Sequence, residues 1–126
     1  MDAIVDNLSN LESLDISYNS NMVNNFANPS FLRNLSKLTE LDVSYCMFSD
    51  SKLVAMIKHL FAIQVLKIEG CKQLSIDGIN EILLHKETPL KKIVLSKTSL
   101  ERDNQADLRK IQDIKGLSFE LIYHKM

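Results

Sequence analysis

The sequence predicts an α/β solenoid of about five repeats, with short parallel strands inside the curve and helices outside. Three observations lead there. Residues 7–18, Asn-Leu-Ser-Asn-Leu-Glu-Ser-Leu-Asp-Ile-Ser-Tyr, return as residues 34–45, Asn-Leu-Ser-Lys-Leu-Thr-Glu-Leu-Asp-Val-Ser-Tyr, at an offset of 27. Residues 38–46 place apolar side chains first, fourth and sixth and a small residue ninth, and this frame recurs along the chain. Between the copies the apolar period changes from two to that of a helix. A repeat at this spacing is one supersecondary unit, and stacked units share one core.

The frame runs Leu11, Leu14, Ile16, Asn19; then Leu38, Leu41, Val43, Cys46; then Ile63, Leu66, Ile68, Cys71; then Leu90, Ile93, Leu95, Thr98. A weaker copy closes the chain as Ile114, Leu117, Phe119, Ile122. Fourth-place residues Leu14, Leu41, Leu66, Ile93 and Leu117 step by 27, 25, 27 and 24. Leu-x-Ile and Leu-x-Val alternate at period two, so each is a short strand with one face inward. At the ninth place the chain leaves the strand. A small side chain there, Asn19, Cys46 or Cys71, can turn inward and bond backbone groups left unpaired at the bend.

The connecting stretches follow in order. Residues 1–9 read as a helix or cap with Ile4, Val5 and Leu8 apolar and Asp2 suiting the helix dipole. Residues 19–28 are rich in Asn and read as loop anchored by Met22 and Phe26; Pro29 then opens a short helix bearing Phe31, Leu32 and Leu35. Residues 51–61 form a helix with Leu53, Met56, Ile57, Leu60 and Phe61 inward and Ser49 or Asp50 as N-cap. Residues 76–85 form another, with Ile79, Ile82 and Leu83 inward and Ser75 as N-cap. Residues 101–114 offer Leu108 and Ile111 in the same role, and residues 116–123 form the last strand. Met22, Met47 and Met56 read as core filling.

Composition bounds the function classes. The chain has 126 residues, 45% hydrophobic and 25% charged, which is ordinary for one folded domain spanning residues 1–126. That domain reads either as complete or as a piece of a longer array, with a terminal strand left free for end-to-end self-association. A net charge of −1 gives no electrostatic case for nucleic acid. No stretch reaches membrane-spanning length, and the acidic start lacks a basic leader, so an intracellular, cytoplasmic setting is expected. The sequons Asn7-Leu8-Ser9 and Asn34-Leu35-Ser36 then read as one repeat position copied twice. Cys46 and Cys71 lack zinc-finger spacing. They read as buried free thiols; as neighbours in adjacent turns they also leave a disulfide open on distance. His59, His85 and His124 stand singly at helix or chain ends, where the helix dipole explains them.

The frame Leu-x-x-Leu-x-Leu-x-x-Asn/Cys resembles the leucine-rich repeats over nearly the whole chain. The resemblance implies a right-handed α/β superhelix with strands on the concave face and helices on the convex one. The copies ending in Cys46 and Cys71 resemble the cysteine-containing class, whose continuation matches here at Leu74, Ser75, Gly78 and Ile79 and departs at Ile76. Copies ending in Asn19 and Thr98 do not fit that class. Many of its members are substrate-recognition arms of F-box ubiquitin-ligase subunits. The opening copy resembles receptor-type and bacterial-effector repeats as well.

Strand residues pointing away from the core fall into columns. One holds Ser13, Glu40, Val65 and Lys92; the next Asp15, Asp42, Lys67 and Val94; then Ser17, Ser44, Glu69 and Ser96; then Tyr18, Tyr45, Gly70 and Lys97. Strands about 4.8 Å apart bring column neighbours into contact. The tyrosines supply aromatic area and hydroxyls, as interface anchors do. The expected activity is non-catalytic binding of a protein partner by Asp15, Ser17, Tyr18, Glu40, Asp42, Ser44, Tyr45, Lys67, Glu69 and Lys92. Solvated strand residues with the tyrosines stacked on each other are the plainer alternative. Asp15 beside Asp42, answered in part by Lys67, also sketches a general acid/base pair or a cation site, a hydrolase reading that lacks a pocket, a nucleophile and a further ligand. No cofactor and no metal are expected.

Overall fold

In a computed structural model, the structure describes residues 9–21, 23, 32–84, 89–95 and 120–122. The strands are β1 (Ser13–Asp15), β2 (Glu40–Asp42), β3 (Val65–Lys67), β4 (Lys92–Val94) and β5 (Glu120–Ile122). They form one parallel sheet in chain order. Leu14, Leu41, Leu66 and Ile93 stand in register. Among the described residues, helix α1 (Asp50–His59) follows β2 in the chain and helix α2 (Ile76–Leu84) follows β3, and the two pack side by side. No helix among the described residues is long and apolar enough to cross a membrane.

The three-residue strands are the centre of a longer ladder. The carbonyl of Glu12 accepts from both Thr39 and Glu40, that of Thr39 from Gln64 and Val65, and that of Gln64 from Lys91 and Lys92. Past the strands, Ile16 and Tyr18 donate to Asp42 and Ser44, and Val43 and Tyr45 to Lys67 and Glu69. The same backbone groups pair at the same place in each copy, which is why the sequence frame repeats.

Inward residues of the middle copies are closed off from solvent. Leu38, Leu41, Val43, Ile63, Leu66 and Ile68 are all fully buried, as are Leu53 and Met56 from α1 and Ile79 from α2. Leu11 and Leu14 of the first copy are only partly covered. Ser49 caps α1 as expected, its hydroxyl accepting from the Lys52 amide at 3.4 Å. At the other end the His59 Nδ1 meets the Ala55 carbonyl at 2.8 Å, in the dipole-favoured last turn.

Several expectations need correction. Ser20, Asn21 and Val23 are helical rather than loop, and Val23 is buried. Phe61 is 58% exposed: α1 ends at His59, Leu60 leaves helical geometry, and Phe61 falls out of phase with the apolar stripe. Met47 is exposed, so of the described methionines only Met56 fills the core. Asn19 is exposed, whereas Cys46 and Cys71 at the same place are buried. The last copy is framed four residues too early: Leu121, not Leu117, stands opposite Ile93. Glu120-Leu121-Ile122 repeats the x-Leu-x of Glu40-Leu41-Asp42, and that short match outranks the longer apolar spacing. Of the helix predicted over residues 1–9, Ser9 is a turn residue and residues 1–8 lie outside the described residues, as do the predicted helix over 101–114 and Met22, Phe26, Pro29, Phe31, His85, Ser96, Lys97, Thr98 and His124.

Candidate functional site on the open strand face

Where each strand ends, the chain must turn away from the ladder. In the first two copies an aspartate makes that turn. Asp15 Oδ1 accepts from the Ser17 amide at 2.9 Å, and Asp42 Oδ1 from the Ser44 amide at 3.0 Å. This is an Asx turn, a side chain standing in for a backbone acceptor. The third copy has Lys67 at that place, which cannot accept. Its Glu69 amide goes instead to the Ser44 hydroxyl of the preceding copy, at 3.1 Å. Ser44 is buried, and its hydroxyl is engaged in this bond.

One residue past each turn the backbone is left-handed: φ is 63° at Tyr18, 58° at Tyr45 and 66° at Gly70. A side chain there costs about 1–2 kcal/mol of backbone energy. The tyrosines offset part of this by stacking, with ring centroids 4.6 Å apart and planes 6° from parallel. Such a pair contributes about 0.5–1.5 kcal/mol beyond area burial. Gly70 continues the column. A Cβ at Gly70 would sit 2.5 Å from Tyr45 Cε1, so the Tyr45 ring lies over the glycine backbone. Tyr18, at the outer end of the stack, is 74% exposed.

An open hollow of about 450 Å³ lies beside this stack. Every predicted binding residue lines it except Asp15 and Glu40, and Val94 joins them from β4. Lys67 does not answer Asp42 directly, as the column order suggests; its Nζ reaches diagonally to Glu40 Oε1 at 2.9 Å. That bond is the main reason its pKa is raised, with Asp42 and Asp15 adding to the effect. Asp15 and Asp42 are register partners as expected, yet each carboxylate serves its own turn. The Ser17 hydroxyl and amide together hold the Asp15 carboxyl below its ordinary 3.8. A carboxylate held ionised in this way is poorly placed to act as a general acid.

The cysteines lie beneath this face. Both are free and buried. Cys46 Sγ donates to the Ile16 carbonyl at 3.4 Å and Cys71 Sγ to the Val43 carbonyl at 3.2 Å, each reaching back one copy. Burial pushes both thiols up, Cys71 to about 11. Among the described residues, no group of three or more His, Cys, Asp or Glu comes together that could hold a metal ion.

Two features escape a reading of the sequence frame. One is the left-handed turn; its signal is Gly70 at the place that Tyr18 and Tyr45 occupy. The other is Asp50, whose Oδ1 accepts from the Ser75 amide at 2.8 Å and whose Oδ2 takes the Ser75 hydroxyl. Ser75, expected to cap α2 with its side chain, instead ties α2 to the start of α1. Gly78 makes room for this clamp, since a Cβ there would lie 2.7 Å from Asp50 Cγ.

In comparison with known proteins, no protein-family model matches the chain and no curated protein matches it.

Proposed function

We propose that this chain is a leucine-rich-repeat solenoid that recognises a protein partner through its strand face and performs no chemistry itself. The observation that carries this reading is the hollow beside the Tyr18–Tyr45 stack. It is assembled from equivalent places of successive copies, and side chains such as Tyr18 and Glu69 there are not needed by the core. An exposed aromatic at the edge of a hollow with mixed charge fits the anatomy of an interface. Against the hydrolase alternative, Asp15 and Asp42 each accept a turn amide on one carboxylate oxygen. Within the solenoid reading, the inward bonding of Cys46 and Cys71 favours the cysteine-containing class, and with it the second proposal that the chain is a substrate arm of an F-box type ligase subunit.

The test is selection of binders from displayed protein fragments on the full chain, followed by affinity measurement on two variants. Tyr18→Ala removes the exposed ring of the strand face, and Lys58→Ala alters an exposed residue of α1. Weakening by Tyr18→Ala alone supports the strand face. Weakening by Lys58→Ala alone refutes it.

A further inference from the structure

We infer that the segment this face takes is basic, and that one of its arginines stacks on the outer ring face of Tyr18. This rests on the strand-face reading and names the chemistry of the partner. Three observations carry it. First, one face of the Tyr18 ring is covered by Tyr45 while the residue as a whole stays 74% exposed, so an aromatic face is left open at the end of the stack. An arginine guanidinium is planar, stacks on such a face and is attracted by its quadrupole. Second, the charge on this part of the face leans acidic. Lys67 and Glu40 neutralise each other, which leaves Asp15, Asp42 and Glu69 against Lys92. Third, Glu69 lines the hollow, and the bond it makes to Ser44 runs through its amide and not its carboxylate. The other cation of the lining, Lys92, is on β4, three strands from β1 and therefore about 14 Å away at ordinary strand spacing.

The arrangement also explains why a tyrosine is kept in a strained left-handed turn, where glycine or asparagine would be easier. Tyr45 supports the ring of Tyr18 from beneath, and Gly70 supports Tyr45. The stack therefore presents a preorganised flat surface rather than a mobile side chain, which lowers the ordering cost of binding.

The experiment is a selection of random linear peptides on the full chain, with the selected peptides re-measured against variants. Enrichment of arginine, together with about fivefold weaker binding to Tyr18→Ala and near-normal binding to Tyr18→Phe, is the expected result for a cation–π contact. Glu69→Gln should weaken the same peptides about threefold, and raised salt should do likewise, because the attraction between exposed charges is screened. Peptides that depend on Tyr18 but carry no excess of basic residues would overturn the inference and leave the strand-face reading standing. Peptides indifferent to Tyr18 and Glu69, or no enrichment at all, would overturn both. Enriched lysine without arginine, bound equally by Tyr18→Ala, would also overturn the stacking.

Discussion

Gly70→Ala isolates the most demanding position on the strand face. Two separate penalties meet there. The residue has φ near +66°, where a Cβ costs about 1–2 kcal/mol. That Cβ would also lie 2.5 Å from Tyr45 Cε1 and 3.1 Å from Cγ, so the ring must move bodily and not merely at its tip. Overpacking of this kind costs about 1–3 kcal/mol. The expected loss is therefore about 2–5 kcal/mol, from a total stability of about 5–15 kcal/mol for an ordinary domain. With a urea slope of about 1–3 kcal/mol/M, the unfolding midpoint should fall by about 1 M or more while the slope stays unchanged. The cause can be separated by a double-mutant cycle with Tyr45→Ala. If the ring is what the new methyl strikes, the double variant is more stable than the two single losses predict, by about 1–2 kcal/mol. A Gly70→Ala loss below about 0.5 kcal/mol, or strict additivity in the cycle, would refute the packing of Tyr45 over this turn.

Other expectations are open to simpler measurement. Gly78→Ala should destabilise the fold although alanine is the better helix former by about 1 kcal/mol, because the methyl displaces Asp50 from Ser75; a gain in thermal stability would contradict the clamp. Cys46 and Cys71 should resist alkylation until the chain unfolds, and labelling of either at the rate of an exposed thiol would contradict their burial. The Cys71 pKa is raised in the fold, so its contribution is complete below about 9 and is lost as pH rises from there through about 11, where denaturant midpoints should decline less steeply in Cys71→Ala. The Asp15 pKa is lowered, so its contribution is present above 3.8 and is lost as pH falls through the depressed value; Asp15→Asn should flatten that part of the acid profile. Lys67→Met should cost no more than about 1 kcal/mol, because its ion pair with Glu40 is more than a third exposed, and the cost should shrink in salt.

The parallel ladder was legible because burial repeats it: Leu41, Leu66 and Ile93 stand in register and are all fully buried, and equivalent buried places ask for similar apolar side chains. The columns of the open face followed from the same register, which is how Tyr18 and Tyr45 were expected to touch. What period alone does not carry is backbone conformation and diagonal reach. The left-handed turn reads only from the exchange of Tyr45 for Gly70, and Lys67 chose Glu40 over Asp42 because its long side chain spans to the diagonal neighbour while Asp42 is occupied by the Ser44 amide. Phe61 was misplaced for a related reason: helical period persists in a sequence after the helix itself has ended. In the fifth copy two frames compete in the sequence, the apolar spacing ending at Ile122 and the short match of Glu120 and Leu121 to Glu40 and Leu41, and the chain pairs by the second.

The central claim is that a partner sits on the ends of the strands and not on the helices. Amide hydrogen exchange of the full chain, with and without a selected arginine-bearing peptide, tests it most directly. The account predicts added protection at residues 15–18, 42–45 and 67–70, and none along α1. Protection concentrated in α1 or α2, with the three turns unchanged, would contradict it.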